Sequence, residues 1–146
     1  MKDFLKDLID HTHGLGVVEL LKVSGTDSET TFNAVAENKT VIISGTFKNP
    51  IADFIGIFGM PNLGKLKTIL GFDLYDENAI INVTRQDRDG IDTPTTIHFE
   101  TQAGDFVNDY RLMSKAIVEE KVKSVSFKGA QWGVEFEPTI SGIQKL

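Results

Sequence analysis

Three groups of residues in this chain have types and spacings that could do chemistry. Gly59-Met60-Pro61-Asn62-Leu63-Gly64-Lys65 has the G-x-x-x-x-G-K spacing of a loop that cradles nucleotide phosphates with backbone amides and a lysine. That loop needs Ser or Thr next, to hold magnesium, and here Leu66 follows. No alternating βαβ pattern lies downstream. Nucleotide binding through Gly59 to Lys65 is therefore a minor alternative to a turn and helix start whose lysines face solvent. His11 and His13 could approach a metal, but no further histidine is near in sequence, and helix-end histidines account for them. Asp87, Asp89 and Asp92 lack the distal Glu of a calcium loop and read as a hairpin turn. His98, between Ile97 and Phe99, falls on the polar face of a strand and has no assigned role. No Ser-His-Asp order or dinucleotide fingerprint occurs. The expectation is a protein that is not an enzyme, with no catalytic residues, no metal ligands and no cofactor.

The elements that carry these residues are legible from periodicity. Met1, Phe4, Leu5, Leu8 and Ile9 repeat at helical spacing, so Met1 to Thr12 reads as an amphipathic helix that Gly14 ends. At about 100° per residue, Lys2, Lys6 and His13 share one flank and Asp3, Asp7 and Asp10 the neighbouring one. Gly16 to Val23, Thr30 to Ala36 and Val41 to Phe47 read as an antiparallel meander, and Ile51 to Phe58 as a strand buried on both faces. Asn62 to Leu70 is a second short helix, with Asn62 as cap and Gly71 as stop. Its exposed side carries Lys65 and Lys67 and no acid. Ile80 to Arg85, Thr95 to Thr101 and Phe106 to Leu112 extend the sheet to about seven strands. Ser114 to Lys123 reads as a charged surface connection, Ser124 to Lys128 and Trp132 to Glu137 as further strands, and Pro138 onward as the opening of another helix. These patterns make a helix-and-meander α+β domain with a basic helix surface.

Composition narrows the function classes. At 146 residues and 40% apolar content the chain can bury one sizeable core. Without cysteine it has no disulfide or thiolate site, and its first residues carry acids where a signal peptide would be apolar, so it reads as cytosolic with no membrane partner. A formal charge of -6 argues against a protein that grips nucleic acid mainly through phosphates. A local basic face on an acidic body would instead guide DNA without gripping it. The lysines have two readings from pattern alone, a solvated surface or such a face.

Four stretches carry a family resemblance: Phe47-Lys48-Asn49-Pro50-Ile51-Ala52-Asp53, Phe58 through Leu70, Val107-Asn108-Asp109-Tyr110-Arg111-Leu112-Met113, and Trp132-Gly133-Val134-Glu135-Phe136-Glu137-Pro138. From about Phe32 onward the chain resembles the DNA sliding clamps of tailed phages, especially cyanophages. The fold class that the resemblance implies is the α+β clamp fold, an antiparallel sheet with two short helices packed on one face. It also implies a ring of three two-domain subunits around duplex DNA, which tethers a replicative DNA polymerase and is placed by a clamp loader in the cytoplasm of the infected bacterial host. Lys2, Lys6, Lys65 and Lys67 would then be DNA-facing, non-specific phosphate contacts. Residues 1–114 would form the first clamp domain, 115–130 the interdomain connection and 131–146 the beginning of a truncated second domain. A phage structural or interaction module with no DNA role is the principal alternative.

Overall fold

The structure is a computed structural model that describes residues 1–88, 90–123, 131, 133, 134, 137 and 139–143. Helix α1 (Lys2–His11) precedes strands β1 (Leu20–Gly25), β2 (Thr30–Val35) and β3 (Ile42–Thr46). Strand β4 (Gly56–Pro61) leads directly into helix α2 (Leu63–Leu70). Strands β5 (Ile80–Arg88), β6 (Ile91–Glu100) and β7 (Val107–Arg111) follow, then helix α3 (Lys115–Lys121) and a single helical turn, α4 (Ile140–Ile143). No helix among the described residues is long and apolar enough to cross a membrane.

The seven strands divide into two antiparallel sheets, ordered β3-β2-β1-β4 and β5-β6-β7, where one sheet was expected. The sheets meet at one isolated bridge, in which Gly59 and Met113 exchange both backbone hydrogen bonds at 2.8 Å. Below that bridge, β4 starts at Gly56, where a Cβ would lie 3.3 Å from Pro94 Cδ. Antiparallel pairing beyond the bridge would set Lys115 opposite Ile57, and Lys115 already begins α3, so the ladder stops there. Arg85 closes the same seam, donating to the carbonyls of Asp53 and Ile55 at 3.1 and 2.9 Å and to the Asp92 carboxylate at 2.6 Å.

One apolar core runs under both sheets. Leu21, Val23 and Ala34 of the first sheet, Phe58 and Met60 of β4, and Ile97, Phe99 and Tyr110 of the second pack with Leu5, Leu8 and Ile9 of α1 and Leu63, Leu66, Ile69 and Leu70 of α2. Helices α1 and α2 thus pack on the same core, and the chain is α+β as the sequence pattern predicts. Alternation sends Lys22 and Gly59, which are register partners, to the opposite face. There α3 covers them: Lys22 pairs with Glu119 at 3.4 Å, and Val118 is fully buried.

Several sequence expectations change. Ile51 to Phe58 is not one strand; Ala52–Phe54 forms a 3-10 turn and the strand starts at Gly56, because Phe54 buries itself against Phe4 and Phe58 rather than continuing an extended run. Ser114 to Lys123 is largely helical, since Val118 and Val122, four apart, form a buried stripe. Helix α1 ends at Thr12, whose hydroxyl donates to the Leu8 carbonyl at 2.6 Å, and the left-handed turn falls at Gly16 (φ 76) rather than Gly14. Of the strand expected at 132–137, Gly133, Val134 and Glu137 are not in a strand, while 132, 135 and 136, the strand expected at 124–128, the last part of the terminal helix and Asp89 lie outside the described residues.

Gly59 is where the two sheets and α3 meet. A Cβ there would stand 2.8 Å from Val118 Cγ2 and 3.0 Å from Met113 Cβ. Gly59→Ala is expected to cost about 2 kcal/mol by overpacking, and combination with Val118→Ala should recover part of the loss. Urea unfolding of the single and double variants measures both; strictly additive losses would mean that the two residues do not press on each other.

Candidate functional site

The candidate site is the exposed side of α1 and α2. Helix α2 buries Leu63, Leu66, Ile69 and Leu70, which leaves Lys65, Lys67 and Thr68 in solvent without an acid among them. Across a shallow groove of about 250 Å³, Lys6, Ile9 and Asp10 of α1 face Lys67, Leu70 and Gly71. The structure therefore brings Lys6 and Lys67 to one groove and sets Lys65 on the same helix as Lys67. None of these three lysines makes an ion pair or side-chain hydrogen bond among the described residues. Lys2 differs. Half-buried, it donates its ammonium to the Tyr75 carbonyl, which ties the start of α1 to the loop after α2. Helix α1 also carries Asp3, Asp7 and Asp10, all exposed. Over the two helices four lysines stand against three aspartates, so the face is only marginally basic and its free positive charge is concentrated on α2 and Lys6.

Helix α2 begins in an unusual way. Asn62 holds the capping position in the left-handed region (φ 54, ψ 57) and makes no side-chain cap bond. Glu19, just before β1, does the capping instead. Its carbonyl accepts from Leu63 N and its carboxylate from Gly64 N, each at 3.3 Å, while the other carboxylate oxygen pairs with His13 Nδ1 at 3.1 Å. One carboxylate thus links the turn after α1 to the first turn of α2. It also occupies the helix start that a nucleotide phosphate would need, and Gly59 to Pro61 are ladder residues of β4 rather than a loop. Nearby, the Tyr110 hydroxyl donates to the Pro61 carbonyl. Burial, with the Glu19 charge adding, pushes that hydroxyl well above its usual range, so it remains a donor.

His98 is better connected than its exposed strand position suggested. On the outer face of the second sheet its Nδ1 lies 2.8 Å from Asp109 Oδ1 and its Nε2 lies 3.4 Å from Glu100 Oε2. The bond to Asp109 raises its pKa above 6.5, against a smaller opposing effect of burial, with Glu100 adding to the rise. The two nitrogens point to different carboxylates, and no convergent metal-binding group of His, Asp or Glu occurs among the described residues. His11 pairs with Asp7 at 3.3 Å, one turn away on α1, and His13 with Glu19, so the two histidines do not converge.

Sequence reasoning found the lysines but missed Glu19, Asp10 and the His98 cluster. Glu19 gives no signal in sequence, because its partner lies 45 residues away. Asp10 could have been found from its i, i+4 spacing to Lys6. Against known proteins, the chain matches no protein-family model and no curated protein.

Two outcomes follow. Glu19→Ala should lower stability by about 1 kcal/mol, the usual cost of a lost cap, whereas Asn62→Gly should cost nothing, since glycine suits φ 54 and no cap bond is lost. Thermal melts of both variants decide this, and equal losses would refute the assignment of the cap to Glu19. For His98, a folded pKa above the unfolded value means its contribution to stability is complete below about pH 6.5 and is lost as pH rises through the folded pKa. An NMR titration of the His98 ring should show a midpoint above 6.5 that falls in Asp109→Asn; an unmoved midpoint would reject the cross-strand pair as the cause.

Proposed function

We propose that this chain is part of a DNA sliding clamp subunit, which encircles duplex DNA without reading its sequence and tethers a replicative polymerase. The observation that carries this reading is the acid-free exposed side of α2, which bears Lys65 and Lys67, with Lys67 lining one groove with Lys6 of α1. Long, unpaired lysines suit phosphates, and phosphate contacts position a protein on a duplex without specifying where along it. The acidic remainder of the chain supports the same reading, because a body of formal charge -6 holds DNA only where the local charge is positive. The resemblance to phage clamps adds the expected partners: a clamp loader, the polymerase and two further copies in a ring.

Lys6, Lys65 and Lys67 are the contacts in this proposal, and Lys2 serves to hold the Tyr75 loop. The exposed acids of α1, Asp3, Asp7 and Asp10, favour a second reading, a phage interaction module with no DNA role.

Fluorescence anisotropy with 30-base-pair duplexes of unrelated sequence separates the two. A clamp face should bind all of them weakly and alike, with log K falling against log salt at a slope of about -3 for three lysine contacts. The triple variant Lys6→Gln, Lys65→Gln, Lys67→Gln should flatten that slope and remove the binding. Binding that is absent at low salt, or indifferent to the three lysines, would favour the interaction module.

A further inference from the structure

Within the α1 and α2 groove one residue has the wrong sign for a DNA face. Asp10 is exposed, lines the groove with Lys6 and Lys67, and makes no ion pair or side-chain hydrogen bond among the described residues. Lys6 and Asp10 are four residues apart on α1 and so lie one above the other on the same side of the helix. Lys67 enters from α2 across the groove. Two free ammonium groups on flexible stems therefore flank one free carboxylate.

We propose that Asp10 sets how tightly this face holds a duplex, by competing with DNA phosphates for Lys6 and Lys67. The inference rests on the clamp reading and adds a regulating residue to the same site. A surface lysine swings readily, and an exposed pair between it and a carboxylate is worth little, so Asp10 leaves both lysines open to a phosphate. The carboxylate stays in the groove, where it repels the same phosphate and lowers the number of counterions released. Lysine contact and loose hold are combined in one groove, which is what movement along DNA requires. Asp3 and Asp7 do not share this position. Asp7 is paired with His11 at 3.3 Å, and Asp3 lines a second hollow with Lys2, Lys6, Asp76 and Glu77, which Lys67 does not reach; Asp10 is the acid that lines one groove with both Lys6 and Lys67.

The test uses the full chain and the same duplexes at low salt. Asp10→Asn should raise affinity about threefold, as expected for one unit charge removed at several ångströms in water, and steepen the salt slope by up to about one. Asp27→Asn, in the exposed β1–β2 turn outside the groove, makes the same change in net charge and should do much less. Placed in a Lys6→Gln, Lys67→Gln background, Asp10→Asn should act no more strongly than Asp27→Asn. If the lysine substitutions weaken binding but Asp10→Asn matches Asp27→Asn in the otherwise unchanged chain, the role of Asp10 is overturned and the clamp reading stands. If neither the unchanged chain nor Asp10→Asn binds any duplex, both are overturned.

Discussion

The contact at Gly59 governs the architecture. Backbone hydrogen bonds to Met113 join the first sheet to the second at that residue, and the missing side chain lets Val118 bring α3 down on the outer face. A close-packed interior leaves no room for the two sheets and the helix to meet around a larger residue. With the chain turning into α3 just past Met113 and Arg85 bonding across the gap below, the seam is narrow. Helices α1 and α2 can then share one continuous core, although the sheet beneath them is split.

Polar groups at the edge of that core fix the helices in place. Tyr75 buries its ring against Phe99, accepts from Asn108 through its hydroxyl at 2.9 Å and from Lys2 through its carbonyl. A lysine that looks like a surface charge in sequence is therefore a structural donor. At the other end Glu19 holds the first turn of α2 and the His13 ring together. Among the described residues of α1 and α2, the charge without an ion pair or side-chain hydrogen bond is on Asp3, Lys6, Asp10, Lys65 and Lys67. In an acidic body that residue of free charge, rather than the total, decides what the surface can attract.

The glycine-rich stretch before α2 shows how a local motif is overruled. Gly59 to Lys65 has nearly the letters of a phosphate loop, but Gly59 to Pro61 are committed to the β1 ladder, and the helix amides are met by Glu19. A phosphate loop works by leaving those amides open. Here the chain supplies its own anion, so the same spacing gives a capped helix start.

Sequence by itself determined the elements that rest on local rules. Apolar spacing at Phe4, Leu5, Leu8 and Ile9 and at Leu63, Leu66, Ile69 and Leu70 defined both helices, and the positions left over put Lys65 and Lys67 in solvent. Alternation located most of the strands, because period-2 burial is written in consecutive residues. Tertiary structure alone decided the division of the sheet beside Gly59, the burial of Val118 over Gly59, the capping of α2 by Glu19 and the capture of Lys2 by Tyr75. Each joins residues tens of positions apart, and no local pattern encodes such a pairing, since either partner alone has an ordinary solvated alternative. The meeting of Lys6, Asp10 and Lys67 has the same origin: their exposure follows from helical periodicity, but their convergence follows from how α1 and α2 pack on a common core.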